Sequence, residues 1–187
     1  IMTYLLVAHS QTEESIDAAN EYLFMGILGG FAIFVALVLM YPLTGSFMFT
    51  ETYDLFALGG GRIILILILL MIGFGVKAGM FPLHVWLPKA HPVAPSPASS
   101  LLSGIMIKVG VFGLFQTLFY FFIPSRIWSG NVWFGEMVIW LGIITMVAGV
   151  FFALIQSNIK KLLAYHSVSQ MGYILMGVGV AIIIKKK

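Results

Sequence analysis

The chain has no cysteine among its 187 residues. That excludes disulfides, thiolate zinc sites, iron–sulfur clusters and haem held through thioethers, so any electrons involved travel in another polypeptide. Charge is the second scarcity: charged residues make up 9% of the chain against 60% hydrophobic residues, and the mean hydropathy is +1.05. The apolar residues come in long blocks, which identifies an integral membrane protein. The net charge of +3 leans on Lys185, Lys186 and Lys187, and no basic patch carries interleaved aromatics, so no nucleic-acid role is expected. No pair of histidines has the same-face spacing with an acid that a metal site requires, and we expect neither metal nor cofactor in this chain. A signal peptide is not indicated either, because Ile1 to Ala8 is apolar at once and acidic residues follow. Starting on Ile, this stretch reads as the end of a helix whose beginning is missing, so a fragment is expected.

Five spans of about 20 apolar residues can be drawn, at 22–41, 63–86, 97–123, 132–155 and 163–184. Turn-forming Gly, Pro, Asn and Ser gather between them, in 42–62, 88–97, 124–131 and 156–161. The expected fold class is all-α: a polytopic transmembrane helical bundle forming a single membrane domain over 1–187, with no separable soluble part. Lys89, Lys160 and Lys161 share one face, against Arg62 and Arg126 on the other, so basic-residue bias makes the Lys89 face cytoplasmic. The terminal lysines then fall on the external face, against that rule.

Within this uncharged background Lys77 stands out. A bare ammonium inside an apolar helix costs several kcal/mol by the ~3 kcal/mol insertion scale, which makes it a functional candidate. Gly79 and Pro82 follow it closely; proline removes a backbone donor and glycine tolerates unusual angles, so Gly79-Met-Phe-Pro82 should break the helix and free carbonyls beside the ammonium. Broken helices at membrane depth commonly mark ion sites. Snorkelling to the surface is the competing explanation, and because Lys77 lies more than about 20 Å along the helix from Arg62 it would have to run toward Trp86. Lys108 repeats the anomaly in the next span, flanked by Gly104, Gly110 and Gly113. A buried, partly hydrated lysine releases its proton more readily than a solvated one, which suits a relay member. Static pairing with a glutamate is the weaker reading, since the acid near an apolar segment is Glu136, close to a span end.

The histidines are less decisive. His84 either extends a proton path from Lys77 or hydrogen-bonds the loop, and His91 reads as interfacial loop structure with a functional role as the alternative. His166, Ser167, Ser169 and Gln170 open the last span, where they glue helices together or hold water. His9 is taken as interfacial.

Three ordered motifs carry a resemblance. The run from Lys77 through Leu83-His-Val-Trp-Leu-Pro-Lys-Ala-His-Pro92 to Pro97, then Ser103-Gly-Ile-Met-Ile-Lys108-Val-Gly-Val-Phe-Gly, then Asn158-Ile-Lys-Lys-Leu-Leu-Ala-Tyr-His-Ser-Val-Ser-Gln-Met-Gly-Tyr173, resembles the proton-translocating antiporter-like subunits of the complex I superfamily. The phrasing is most similar to the large membrane subunit of energy-converting hydrogenases, of the hydrogenase-4 component B kind. Subunit 4 of NADH-quinone oxidoreductase and the antiporter-like subunit of multisubunit Na+/H+ antiporters are near rivals. The resemblance implies a fold of about fourteen transmembrane helices built on inverted repeats, each with a broken helix. Lys77 then falls at the lysine of the first broken helix, and Lys108 at the lysine of the following helix. It also implies an essential glutamate on the preceding helix and a lysine or glutamate on a second broken helix, neither of which this chain contains.

The expected role is that of the proton-translocating, non-redox subunit of an oxidoreductase or translocase complex, multi-pass in a plasma or inner membrane. Lys77, Lys108 and His84 would serve translocation, alongside other membrane subunits and a hydrogenase-type or quinone-reductase-type redox module. A subunit of a Na+/H+ antiporter and a non-conducting truncated remnant are the alternatives.

Overall fold

The computed structural model describes residues 2–45, 60–119 and 133–184. The segment expected to turn at 124–131, most of 42–62, Arg126 and the terminal lysines lie outside the described residues. Helices dominate: α1 Met2–Val7, α2 Glu13–Thr44, α3 Gly60–Ala78, α4 Trp86–Val93, α5 Ser96–Leu101, α6 Ile107–Thr117, α7 Trp133–Leu154 and α8 Ile159–Ile184, with a π-helical turn Leu102–Met106 joining α5 to α6. Five stretches are long and apolar enough to cross a membrane: Glu13–Pro42, Gly61–Ala78, Ser96–Thr117, Phe134–Leu154 and Ile159–Ile184.

The bounds differ from the hydropathy spans for local reasons. Helix α2 begins at Glu13, well before residue 22, because Thr12 caps it: Thr12 is extended, its hydroxyl accepts Ser15 N–H at 3.2 Å, and Glu13 and Glu14 sit at the positive end of the helix dipole. It ends at Gly45, whose φ of +65° allows its N–H to reach Tyr41 O at 2.9 Å. Helix α3 stops at Ala78 rather than 86, at the break described below. Helix α8 starts at Ile159, ahead of residue 163, where the Asn158 side chain accepts Lys160 N–H at 2.9 Å.

In a bilayer the lipid tails are as apolar as leucine, so helix association rests on close packing. The antiparallel α7–α8 pair shows this most clearly. A Cβ on Gly172 would stand 2.4 Å from Met146 N, and one on Gly142 would stand 2.7 Å from Met176 N, so backbone meets backbone along this seam. Two buried clusters organise the remainder. One joins α2, α3, α6, α7 and α8 through Ala36, Ile66, Leu70, Leu114, Val138 and Leu175. The other gathers Ala19, Tyr22, Trp86, Leu87, Ile107 and Val168 around the short helix α4. Large apolar side chains such as Phe31, Phe112, Trp140 and Phe151 face outward, as lipid or neighbouring helices require.

Candidate functional site

The break after Lys77 follows from its sequence. Gly79 takes a φ of +68°, a left-handed conformation that glycine adopts without strain, and Phe81–Pro82 is a cis peptide. Met80 N–H reaches back to Gly75 O at 2.9 Å, Gly79 N–H reaches Val76 O at 3.3 Å, and helical structure resumes only at Trp86. The buried Trp86 indole donates to Val76 O at 2.9 Å, satisfying a carbonyl at the interrupted end, and packs edge-on against Tyr22 with ring centres 5.2 Å apart.

Lys77 occupies the last turn of α3, where the negative end of the dipole favours a cation. It is half-buried, and its ammonium lies beside α2, with Nζ 3.8 Å from where a Cβ on Gly26 would be. No carboxylate among the described residues forms an ion pair with it; the ion pair there is Lys89–Glu21, at 2.6 Å on an exposed surface.

Lys108 departs from the buried position expected of it: it is exposed in this chain. Gly110 explains why. A Cβ on Gly110 would stand 2.7 Å from Ala78 N and 2.9 Å from Lys77 C, so α6 crosses α3 on its Gly110 face directly against the Lys77 backbone. Two residues earlier on a helix is roughly 200° around, so Lys108 points away from that crossing. The π-turn gives it an anchor. Ile107 N–H bonds Leu102 O, one position past its ordinary α-helical acceptor Ser103, and Ser103 O accepts Lys108 Nζ at 2.8 Å.

The histidines occupy different settings. His84 is buried between Phe81, Phe152 and Tyr165, with ring centres 5.3, 6.5 and 6.1 Å away. His91 is 2% exposed, its Nδ1 lies 2.5 Å from Ser99 Oγ, and its Nε2 has no partner among the described residues. Burial first, and the positive charge of Lys160 second, push His91 down to about 4, so the ring is neutral at physiological pH.

Beside His91 lies a polar cavity of about 350 Å³, bounded by Ser99 and Ser103 on one side and by Lys160, His166 and Gln170 on the other. Lys160 closes one end: its Nζ donates to Ala94 O at 2.8 Å and Pro92 O at 3.3 Å, capping α4. Of the polar group that opens α8, His166, Ser167 and Gln170 line this cavity. Ser169 instead turns to α7, 1% exposed, where its backbone and Cβ meet the face of Gly149. No group of three His, Cys, Asp or Glu side chains suitable for a metal occurs among the described residues.

Sequence reasoning passed over two of these features. Ser96, Ser99, Ser100 and Ser103 recur at helical spacing and form one wall of the cavity, a periodicity that was available to read. The Trp86 indole bond spans the break, and no local pattern announces it.

Comparison with known proteins agrees with this architecture. Residues 1–185 match the family model described as NADH:quinone oxidoreductase/Mrp antiporter, transmembrane. The chain is 39% identical over 183 residues to hydrogenase-4 component B of Escherichia coli, covering 98% of this chain and 27% of that protein. It is 33% identical to NAD(P)H-quinone oxidoreductase chain 4 2 of Thermosynechococcus vestitus, covering 96% of this chain and 33% of that one. Among solved structures, it superposes on a chain of an archaeal membrane-bound sulfane sulfur reductase with a TM-score of 0.81 at 27% identity, covering 98% of this chain and 40% of that one. The chain thus spans between 27% and 33% of the length of these two curated relatives. It belongs to the NADH:quinone oxidoreductase/Mrp antiporter family, the antiporter-like membrane subunits of the complex I superfamily.

Proposed function

We propose that this chain is part of a non-redox, proton-translocating subunit of a redox-driven pump, working in the plasma or inner membrane beside other membrane subunits and a redox module. The observation that carries this reading is the pair of lysines on consecutive crossing helices: Lys77 sits at the end of a helix broken by Gly79 and Pro82, and α6 crosses its backbone two residues from Lys108. A proton moves when charge changes elsewhere in the complex alter the balance between ammonium and amine at Lys77, and Lys108 takes up or returns that proton. His84, on the connection after the break, is the imidazole of that segment available to assist. Hydrogenase-4 component B and NAD(P)H-quinone oxidoreductase chain 4 are, by name, components of oxidoreductases, which supports a redox-driven rather than a freestanding role.

A proton suits the surroundings better than sodium. The cavity wall holds serines, histidines, Gln170 and an ammonium but no carboxylate, and a second ammonium is anchored at Ser103. Two positive charges without an acid disfavour a hard cation. Replacing Lys108 with Met in the intact complex should reduce proton transfer into sealed vesicles by about tenfold or more while the complex still assembles. Unchanged transfer would sink the assignment.

A further inference from the structure

We propose that Met106 is a positioning residue for Lys108: its thioether, held by the hydroxyls of Thr3 and Tyr22, fixes the phase of the π-turn from which α6 departs. Tyr22 refers that phase to the broken end of α3. This rests on the proton-translocation reading above and adds to it the residues that set one lysine against the other.

The π-turn needs a reason outside itself. Its hydrogen bond spans five residues rather than four, so one residue is inserted and the side chains beyond it are turned by about 100° relative to an uninterrupted α-helix. Here Ile107 N–H bonds Leu102 O, which leaves Ser103 O to accept Lys108 Nζ at 2.8 Å. Return of Ile107 N–H to Ser103 O would close the turn into α-helix, compete for that carbonyl and swing Lys108 away from it. Residue type does not choose between the two registers: Leu102-Ser-Gly-Ile-Met106 contains no proline, and a Cβ on Gly104 would meet open space. The choice falls to whatever grips the end of the turn.

Met106 is that end. Its Sδ accepts the Thr3 hydroxyl of α1 at 3.6 Å and the Tyr22 hydroxyl of α2 at 3.8 Å. A thioether is a weak acceptor, so neither bond holds the turn alone. The two arrive from different helices and meet on one atom, and α1 is itself tied to α2 where the Tyr4 hydroxyl donates to Asn20 Oδ1 at 3.3 Å. A leucine would fill the same space and offer no acceptor.

Tyr22 has a second contact. Its buried ring lies edge-on against Trp86, 5.2 Å between centres, and the Trp86 indole donates to the carbonyl of Val76, the residue before Lys77. The preceding residue, Glu21, pairs with Lys89 at 2.6 Å, so two consecutive residues of α2 hold α4. Contacts therefore run without a gap from Val76 through Trp86 and Tyr22 to Met106, from the helix end that bears Lys77 to the turn that anchors Lys108. Gly110 sets which face of α6 meets α3, and Met106 sets the register in which the chain enters that crossing.

The test uses the complete complex in sealed vesicles, with proton transfer measured per redox turnover. Met106→Leu keeps the volume without the acceptor, and Tyr22→Phe keeps the ring on Trp86 without the donor. Each should lower transfer about threefold or more with redox turnover retained, the range in which residues that touch no ligand alter coupling. The combination should be no worse than Met106→Leu alone, because both changes remove the same bond. Met106→Gln, whose amide oxygen is again an acceptor, should recover most of what Met106→Leu loses. Normal transfer in Met106→Leu, effects that add in the combination, or a Gln variant as impaired as the Leu variant overturns the proposal and leaves the lysine reading standing. Normal transfer in Lys108→Met overturns the reading on which it rests. If Met106→Leu does not assemble, the donors carry the test: Thr3→Val, isosteric and only partly buried, combined with Tyr22→Phe should show the same loss, and normal transfer in that pair overturns the proposal.

Discussion

Lys77 and Lys108 were legible in the sequence because a charge in an apolar run has no cheap explanation. What the sequence withheld was direction. Whether Lys108 faces α3 depends on which side of α6 makes the crossing, and Gly110 decides that by its fit against the Lys77 backbone. His91 read as loop structure because the fold alone brings Ser99 and Lys160 to it. Acid should weaken the fold through this residue. The neutral His91 ring has its affinity for protons lowered from near 6.5 to about 4, so below pH 6.5 the unfolded chain binds a proton that the folded chain refuses. Stability is full above pH 6.5, falls as pH drops toward 4, and levels off below it, a total of about 3 kcal/mol. Thermal unfolding of the solubilised complex between pH 7.5 and 4.5 should show a steeper decline for the parent than for His91→Gln. Parallel declines would contradict the assignment.

At the scale of elements, Gly79 and Pro82 announced the interruption of α3, and five helices of spanning length were evident from hydropathy. Their ends were not, since Thr12 and Asn158 extend α2 and α8 through polar residues that a hydropathy window discards. The π-turn was also hidden, because it is a choice of hydrogen-bond register and not of residue type. Trp86→Phe removes one of the two donors to Val76 O, leaving the Gly79 N–H, and should lower stability by about 0.5–1.5 kcal/mol in denaturant unfolding; an unchanged midpoint would show that the bond is not needed. Gly172→Leu forces a side chain into the Met146 backbone and should prevent α7 and α8 from closing. Gly177→Leu, on the same helix with open space around it, should assemble normally. Equal yields of folded complex from the two variants would refute the glycine seam.

At the scale of the whole molecule, a short chain places a broken helix, a crossing lysine helix and an open, serine-lined cavity within one bundle. Lys160 reaches the end of α4, the helix that carries Lys89, so these lysines gather at one end while Arg62 stands at the far start of α3. The most direct measurement is proton transfer per turnover by the intact complex carrying Lys108→Arg. Arginine keeps the positive charge but does not release its proton, so it separates a proton carrier from a structural cation. Loss of transfer by about tenfold or more in an assembled, redox-active complex is the predicted result. Transfer equal to that of the parent would contradict the account.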